Sequence, residues 1–245
     1  MLFGMALCAW LFPWLGRAAR ERHVRRWSRH LLSMCNVRVE HAQEAGRALP
    51  RAMVVANHVS WLDIFVINTV HPCRFVAKAE IRAWPLLGWL SERAGTVFIA
   101  RGQRRELRHV FQGLVEHLAA GERIAFFPQG TTALQGESLP FHPNLFEAAI
   151  DARVPVQPFA LAYLDGAGLA HPAVEYGADV TFVQSMIAVL GAGQITARLC
   201  CLPAIDSCGA HRRELALAAQ TAVGAALSGG RSEAVEAGRG RGATA

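Results

Sequence analysis

The side chains with the clearest potential for acid–base chemistry lie in residues 57–63, whose sequence is NHVSWLD. An imidazole that bonds a carboxylate through one ring nitrogen is held in one tautomer, and its other nitrogen becomes a better base. His58 and Asp63 are five residues apart, a spacing that separates two side chains on one α-helix by about 140°. They can meet only if His58 lies in a loop and Asp63 one turn into the following helix, and we predict that arrangement.

Two other interpretations of this segment stay open. Ser60 is a candidate nucleophile, although the His–Asp pair is better suited to activating a substrate hydroxyl directly. A purely structural interpretation makes Asn57 the cap of the next helix and Asp63 a first-turn carboxylate favoured by the helix dipole.

Two further segments place polar groups at the ends of predicted strands. Residues 95–101 (GTVFIAR) end on Arg101, and residues 127–132 (FPQGTT) form a turn around Gly130 and Thr131. A guanidinium beside a turn rich in backbone N–H and hydroxyl donors is suited to binding an anion or a phosphate. An ordinary surface arginine and an ordinary turn are the alternatives. The chain contains no G-x-S-x-G, G-x-x-x-x-G-K-[ST], G-x-G-x-x-G or H-E-x-x-H sequence, which disfavours common hydrolase, nucleotide-binding and zinc-protease classes.

The elements that must position these residues alternate between strand and helix from about residue 50. Strand patterns cover residues 51–56, 74–77, 96–100, 123–127, 154–161 and 194–202, and helix patterns cover 63–70, 85–93, 106–120, 145–152, 181–190 and 212–227. This alternation predicts an α/β fold with a central mixed sheet covered by helices. The two prolines in 154–161 predict a strand at the sheet edge or an irregular strand end.

The N-terminal region has a different character. Residues 2–16 are apolar and uncharged, but as a helix they reach about 22 Å, less than the roughly 30 Å hydrocarbon core of a bilayer. The next segment has arginines on one helical face and apolar side chains on another, which is typical of a helix on an anionic membrane surface. Because the arginines follow the apolar run, the rest of the chain is expected on the cytoplasmic side. An amphipathic helix packed on the domain is the alternative.

The composition predicts a globular bacterial protein with one main domain. The chain has 245 residues, 52% of them hydrophobic, and a net charge of +6. Lys78 is its one lysine beside many arginines, a bias typical of a GC-rich genome. The six cysteines show no paired spacing, so we expect reduced thiols and no metal site. We predict docking helices in residues 1–45, the main domain in 46–227 and a disordered Gly/Arg/Ala-rich tail in 228–245.

Taken together, four blocks resemble the lysophospholipid acyltransferase family, which includes the 1-acylglycerol-3-phosphate acyltransferases. The family's N-H-x-x-x-x-D block resembles residues 57–63, and its G-x-x-F-I-x-R block resembles residues 95–101. Its F-P-E-G-T-[RS] block resembles residues 127–132, and its V-P-[VI]-x-P block resembles residues 154–158. The order and spacing also agree, and the resemblance covers roughly residues 50–205. The N-terminal segments are similar to the family's membrane-docking helix pair.

The resemblance implies a glycerolipid acyltransferase-like fold and an O-acyltransferase. His58, oriented by Asp63, would deprotonate the hydroxyl of a lysophospholipid, most simply 1-acylglycerol-3-phosphate. That hydroxyl would attack the thioester of acyl-CoA or acyl carrier protein, with no cofactor. Binding of the acceptor is implied for Arg101 and Lys78 as cations, and for Asn57, Gln129, Gly130 and Thr131. The implied location is the cytoplasmic face of the bacterial inner membrane, with membrane lipids and not nucleic acid as partners.

Two residues depart from the family's blocks. Gln129 stands where the family has Glu, which removes a charge but keeps a carbonyl acceptor and adds N–H donors. Thr132 stands where the family has Arg or Ser, so a headgroup other than a plain phosphate is an alternative. A lyso-ornithine lipid or another lyso-lipid therefore remains open as the acceptor. A weakly active lipid-binding homologue and an esterase or thioesterase that uses the same His–Asp pair also remain open.

Overall fold

The computed structural model describes residues 15–41, 47–83, 88, 91–92, 95–99, 104–137, 139–177 and 180–242. The described helices are α1 (Arg17–Met34), α2 (Asp63–Val70), α3 (Arg104–Ala119), α4 (Glu147–Asp151), α5 (Phe182–Gly191) and α6 (Arg212–Gly242). The described strands are β1 (Val37–His41), β2 (Met53–Ala56), β3 (Arg74–Lys78), β4 (Val97–Ile99), β5 (Ile124–Phe126), β6 (Val156–Leu164) and β7 (Ile195–Cys201).

The strands form a seven-stranded sheet in the order β1-β7-β6-β2-β5-β3-β4. Neighbouring strands are parallel except β6 and β7, which run antiparallel. The sheet is therefore mixed and covered by helices, as the sequence predicted. Because β2, β5 and β3 are adjacent and parallel, the loops that follow them emerge at one edge of the sheet.

Each face of the sheet carries its own hydrophobic core. Along β2 the fully buried Val54 and Ala56 point to one face, while Met53 and Val55 point to the other, because successive side chains alternate in a strand. The first core includes side chains of α1, α2 and α5, and the second includes side chains of α3, α4 and α6. We call these the α1/α2/α5 face and the α3/α4/α6 face.

The strand with two prolines is not at the sheet edge, so that part of the prediction is wrong, whereas the alternative of an irregular strand end agrees with the structure. β6 lies between β2 and β7, with Pro155 just before it and Pro158 inside it. The Leu202 N–H donates to the Pro158 carbonyl at 2.9 Å, so the Pro158 backbone faces β7. The antiparallel register with β7 begins one residue later, at Phe159. The missing N–H of Pro158 thus falls where that ladder ends, and an interior strand tolerates it.

At the C-terminal end, α6 continues to Gly242, past residue 228, from which the sequence predicts a disordered tail.

The structure describes only part of the N-terminal region. α1 forms over the arginine-rich segment as predicted. Residues 1–14, most of the apolar run, lie outside the described residues, as does most of the helix predicted at 85–93. In the part of the chain that the structure describes, no helix has the length and apolar character needed to cross a membrane.

Candidate active site

His58 and Asp63 meet as the spacing predicted, with His58 in the loop after β2 and Asp63 opening α2. His58 Nδ1 lies 2.7 Å from Asp63 Oδ2. The backbone N–H groups of Val59 and Ser60 donate to the same oxygen at 2.8 and 3.0 Å. The loop therefore wraps around the carboxylate, and we call residues 57–63 the His–Asp turn. With Nδ1 committed to Asp63, Nε2 is the nitrogen left for a substrate.

Tyr163 supplies a partner of Asp63 that the sequence did not predict. Its hydroxyl, fully buried on β6, donates to Asp63 Oδ1 at 2.6 Å. Burial, reinforced by the neighbouring carboxylate, raises the pKa of Tyr163 well above its ordinary value. The phenol thus stays protonated and able to donate. Asp63 is itself inaccessible to solvent, and buried carboxylate oxygens need such hydrogen-bond partners.

The loop after β5 fixes His58 from the other side. The Phe127 ring stacks on the imidazole, with centroids 3.9 Å apart and planes 8° apart. Gln129 Oε1 accepts from the His58 N–H at 2.6 Å, and the His58 carbonyl accepts from the Ala133 N–H at 2.9 Å. The carboxamide oxygen of Gln129 thus makes a bond that a glutamate oxygen would also make.

Asn57 and Ser60 both form hydrogen bonds with backbone groups in or beside the His–Asp turn. The Asn57 amide donates to the Leu161 carbonyl at 2.9 Å and accepts from the Leu161 N–H at 2.8 Å. It therefore joins the His–Asp turn to β6 and does not cap α2, whose N-cap residue is Leu62. Ser60 is fully buried, and its Oγ accepts from the Leu62 N–H at 3.4 Å. A hydroxyl held inside the turn is not positioned as a nucleophile.

Some of the residues predicted to bind an anion or the acceptor lie among the described residues. Gly130 adopts φ +70° in the turn after β5, and its N–H donates to the Phe127 carbonyl at 3.1 Å. Thr131 beside it is exposed, and Lys78 is exposed at the end of β3. These three residues share the sheet edge that carries His58. Arg101 lies outside the described residues.

The turn after β5 has two contacts that sequence reasoning missed. The Thr132 hydroxyl donates to the Tyr176 carbonyl, so Thr132 is engaged with the protein. The His142 ring lies next to Gly130, where a Cβ on the glycine would be 3.6 Å from the imidazole. His142 is exposed, which adds a second imidazole at the rim of the site.

A cleft of about 200 Å³ runs from the His–Asp turn onto the α3/α4/α6 face. At its polar end lie Asn57, His58 and Gln129. Most of the remaining wall is apolar and includes Leu134, Leu164, Leu169, Ala170 and Leu227. His58 keeps 20% of its side chain exposed. The arrangement therefore sets the His58 imidazole at the end of a largely apolar cleft. Among the described residues, no cluster of His, Cys, Asp or Glu could hold a metal ion.

Residues 36–162 match the family model for acyltransferases. A lyso-ornithine lipid O-acyltransferase from Pseudomonas aeruginosa is 37% identical over 92% of this chain and 88% of its own length. A 1-acyl-sn-glycerol-3-phosphate acyltransferase from Neisseria meningitidis is 36% identical over 74% of this chain and 71% of its own. The chain belongs to the acyltransferase family and is an O-acyltransferase of the lysophospholipid acyltransferase type.

The fold has a counterpart among solved structures. The crystal structure of the 1-acyl-sn-glycerophosphate acyltransferase from Thermotoga maritima superimposes with a TM-score of 0.59. The match covers 91% of this chain and 92% of that chain, at 19% sequence identity. At that identity the likeness concerns the fold, and it agrees with the predicted glycerolipid acyltransferase-like architecture.

Proposed function

We propose that this protein transfers a fatty acyl group from a thioester to the free hydroxyl of 1-acylglycerol-3-phosphate, giving phosphatidic acid. The observation that carries the proposal is His58, held by the buried Asp63 at the end of the apolar cleft. The cleft offers room for hydrocarbon, and His58 Nε2 can accept a proton at its polar end. The thioester is acyl-CoA or acyl carrier protein, and the chemistry requires no cofactor.

In the proposed reaction, His58 Nε2 takes the proton of the acceptor hydroxyl as its oxygen attacks the thioester carbonyl carbon. Asp63 stabilises the imidazolium that forms. The tetrahedral intermediate then collapses, the C–S bond breaks, and the thiolate takes the proton back from His58. The products are the acylated lipid and the free thiol. Backbone N–H groups of the turn after β5 are assigned to oxyanion stabilisation, and Thr131 is the exposed residue of that turn.

The acceptor phosphate belongs, in this proposal, at the sheet edge that carries Lys78 and the exposed end of the turn after β5. Lys78 supplies a positive charge and Thr131 a hydroxyl donor. We assign Arg101 to the same phosphate through the family resemblance. The proposed location is the cytoplasmic face of the bacterial inner membrane, where the acceptor lipid and a cytosolic thioester can meet.

A lyso-ornithine lipid is the second candidate acceptor. Thr132 stands where the family has Arg or Ser, and its hydroxyl is engaged with the Tyr176 carbonyl. That position therefore contributes no cation toward a phosphate. The Pseudomonas aeruginosa relative, whose name specifies lyso-ornithine lipid, resembles this chain over most of its length.

The test is a panel of lyso-lipid acceptors incubated with one labelled acyl-CoA and the full chain in lipid vesicles. Phosphatidic acid, identified by product mass, supports the first proposal, and acylated ornithine lipid supports the second. Free fatty acid with no acylated lipid would show an esterase or thioesterase and contradict both. Replacing acyl-CoA by acyl carrier protein in a parallel series identifies the donor.

A further inference from the structure

α5 presents an apolar surface to solvent. Val183, Ile187 and Leu190 are 56%, 63% and 55% exposed, and their spacing puts them on one side of the helix. On the opposite side, Ser185 and Val189 are buried toward the sheet. A helix on the surface of a water-soluble domain normally turns polar side chains outward. The outward side of α5 is therefore suited to contact with an apolar surface or phase and not with water.

α1 and α5 both lie on the α1/α2/α5 face of the sheet. Each helix buries one side in the same core, Leu32 from α1 and Val189 from α5. The segments that follow α1 and α5 in the chain meet, because the Ile195 N–H donates to the Asn36 carbonyl at 3.1 Å. Their outward sides thus belong to one surface of the molecule. α1 contributes to that surface the exposed arginines Arg22, Arg26 and Arg29.

We propose that α5 inserts its Val183, Ile187 and Leu190 side chains into an anionic lipid bilayer, with the α1 arginines on the headgroups. Aliphatic side chains flanked by arginine match the two layers that a bilayer surface offers, hydrocarbon beneath anionic phosphate. The proposal goes beyond the N-terminal segment, and it rests on the proposed function only in taking a membrane lipid as acceptor.

The same helix holds the His–Asp turn. Trp61 in that turn donates through its indole N–H to Ser185 Oγ at 3.2 Å. The Trp61 and Phe182 rings contact edge to face, with centroids 5.4 Å apart. Docking of α5 would therefore bring the loop that carries His58 to the bilayer surface, where a lyso-lipid presents its hydroxyl.

The test uses the full chain and vesicles of phosphatidylglycerol and phosphatidylethanolamine. The variant Ile187→Asp is compared with Leu217→Asp, which changes an equally exposed aliphatic residue (65%) on α6 and the opposite face of the sheet. We expect Ile187→Asp to lower the vesicle partition coefficient about tenfold, corresponding to about 1.4 kcal/mol. Leu217→Asp should bind as the unaltered protein does. Equal binding by both variants would overturn the proposal.

Hydroxyl-radical footprinting of the unaltered chain gives a readout that needs no variant. Val183, Ile187 and Leu190 should label readily in solution and lose most of that labelling on vesicles, whereas Leu217 labels equally in both. Weak labelling already in solution would mean that the chain itself covers α5. Protection by acyl carrier protein but not by vesicles would identify a protein partner. Either result overturns the proposal, and neither depends on whether acyl transfer is observed.

Discussion

Asp63 accepts hydrogen bonds from His58, from two backbone N–H groups of the His–Asp turn and from the Tyr163 hydroxyl. Each donor pairs with an oxygen of a carboxylate that is inaccessible to solvent. The carboxylate in turn fixes the tautomer and the orientation of the His58 ring. We infer that Tyr163 is a positioning residue, because it contacts Asp63 and not the space where substrate would lie.

The variant Tyr163→Phe should separate this positioning role from simple packing. It keeps the ring in the core but leaves Asp63 Oδ1 without its side-chain donor. We expect the free energy of unfolding to fall by about 1–3 kcal/mol. We also expect kcat to fall while KM for both substrates stays unchanged, in urea unfolding and steady-state assays. An unchanged kcat with lowered stability would mean that Tyr163 is structural only.

Variants of Gln129 test whether the departure from the family's glutamate reduces activity. The bond from the His58 N–H to Gln129 Oε1 needs an oxygen and not a charge. Gln129→Glu should therefore keep kcat near that of the unaltered protein. Gln129→Ala leaves the partly buried His58 N–H without its acceptor, which should lower the free energy of unfolding by about 1–3 kcal/mol. A sharp rise in acyl transfer with Gln129→Glu, from a near-zero starting rate, would instead mark this chain as a weakly active homologue.

At the residue scale, the sequence predicted contacts that are close along the chain and missed those that are distant. The His58–Asp63 pair follows from a spacing of five residues and the geometry of a helix start. Tyr163 lies a hundred residues beyond Asp63, and nothing in its own segment points to a carboxylate. The pairing depends on the register of β6 with β2, which only the assembled sheet determines.

At the element scale, two glycines behave in opposite ways. Gly130 has φ +70°, a conformation that costs a residue with a side chain about 1–2 kcal/mol. Gly113 lies inside α3, where an added Cβ would meet nothing within 4 Å and alanine is favoured by about 1 kcal/mol. Gly130→Ala should therefore lower the free energy of unfolding and Gly113→Ala should raise it. Shifts of the same sign in both variants would contradict these backbone assignments.

The strands and helices near the site were predicted well, and the strand order was not. α2 begins and ends at the predicted residues, and β3 and β5 lie within one or two residues of their predicted bounds. These are short apolar runs bounded by turn residues, for which local pattern suffices. The interior position of β6 was missed because a proline in the sequence shows only that one backbone N–H is absent. That the hydrogen-bond ladder with β7 ends at Pro158 depends on how the strands assemble.

At the scale of the whole molecule, stability should depend on pH through His71. This histidine is 5% exposed, and burial, with the nearby Arg123 guanidinium, lowers its pKa to about 4. The folded protein therefore binds the His71 proton less tightly than the unfolded chain does. Its stabilising contribution is complete above the unfolded pKa of about 6.5 and is lost as pH falls toward 4.

We expect the free energy of unfolding to fall by about 2 kcal/mol between about pH 7 and pH 5 from this group. The variant His71→Leu should lack that part of the pH dependence. Urea unfolding at several pH values measures it in both proteins. The same slope in both would show that His71 is not the responsible group.

At the scale of the whole molecule, the two faces of the sheet carry different features. The cleft that ends at His58 extends onto the α3/α4/α6 face, while the basic and apolar helices cover the α1/α2/α5 face. The His–Asp turn lies between them, joined to β6 by Asn57 and to α5 by Trp61. The sequence indicated an α/β acyltransferase, but the placement of the cleft and of the exposed apolar side of α5 on different faces of the sheet follows from the topology.

The most direct test of the central claim is the rate of acyl transfer by His58→Ala in vesicles, with the unfolding transition measured alongside. Loss of the general base should lower kcat by about 10²–10⁴-fold, while the fold persists because His58 is at the edge of the core. Asp63→Asn should give a smaller loss, since the base remains. Undiminished acyl transfer by a folded His58→Ala protein would contradict the proposed mechanism.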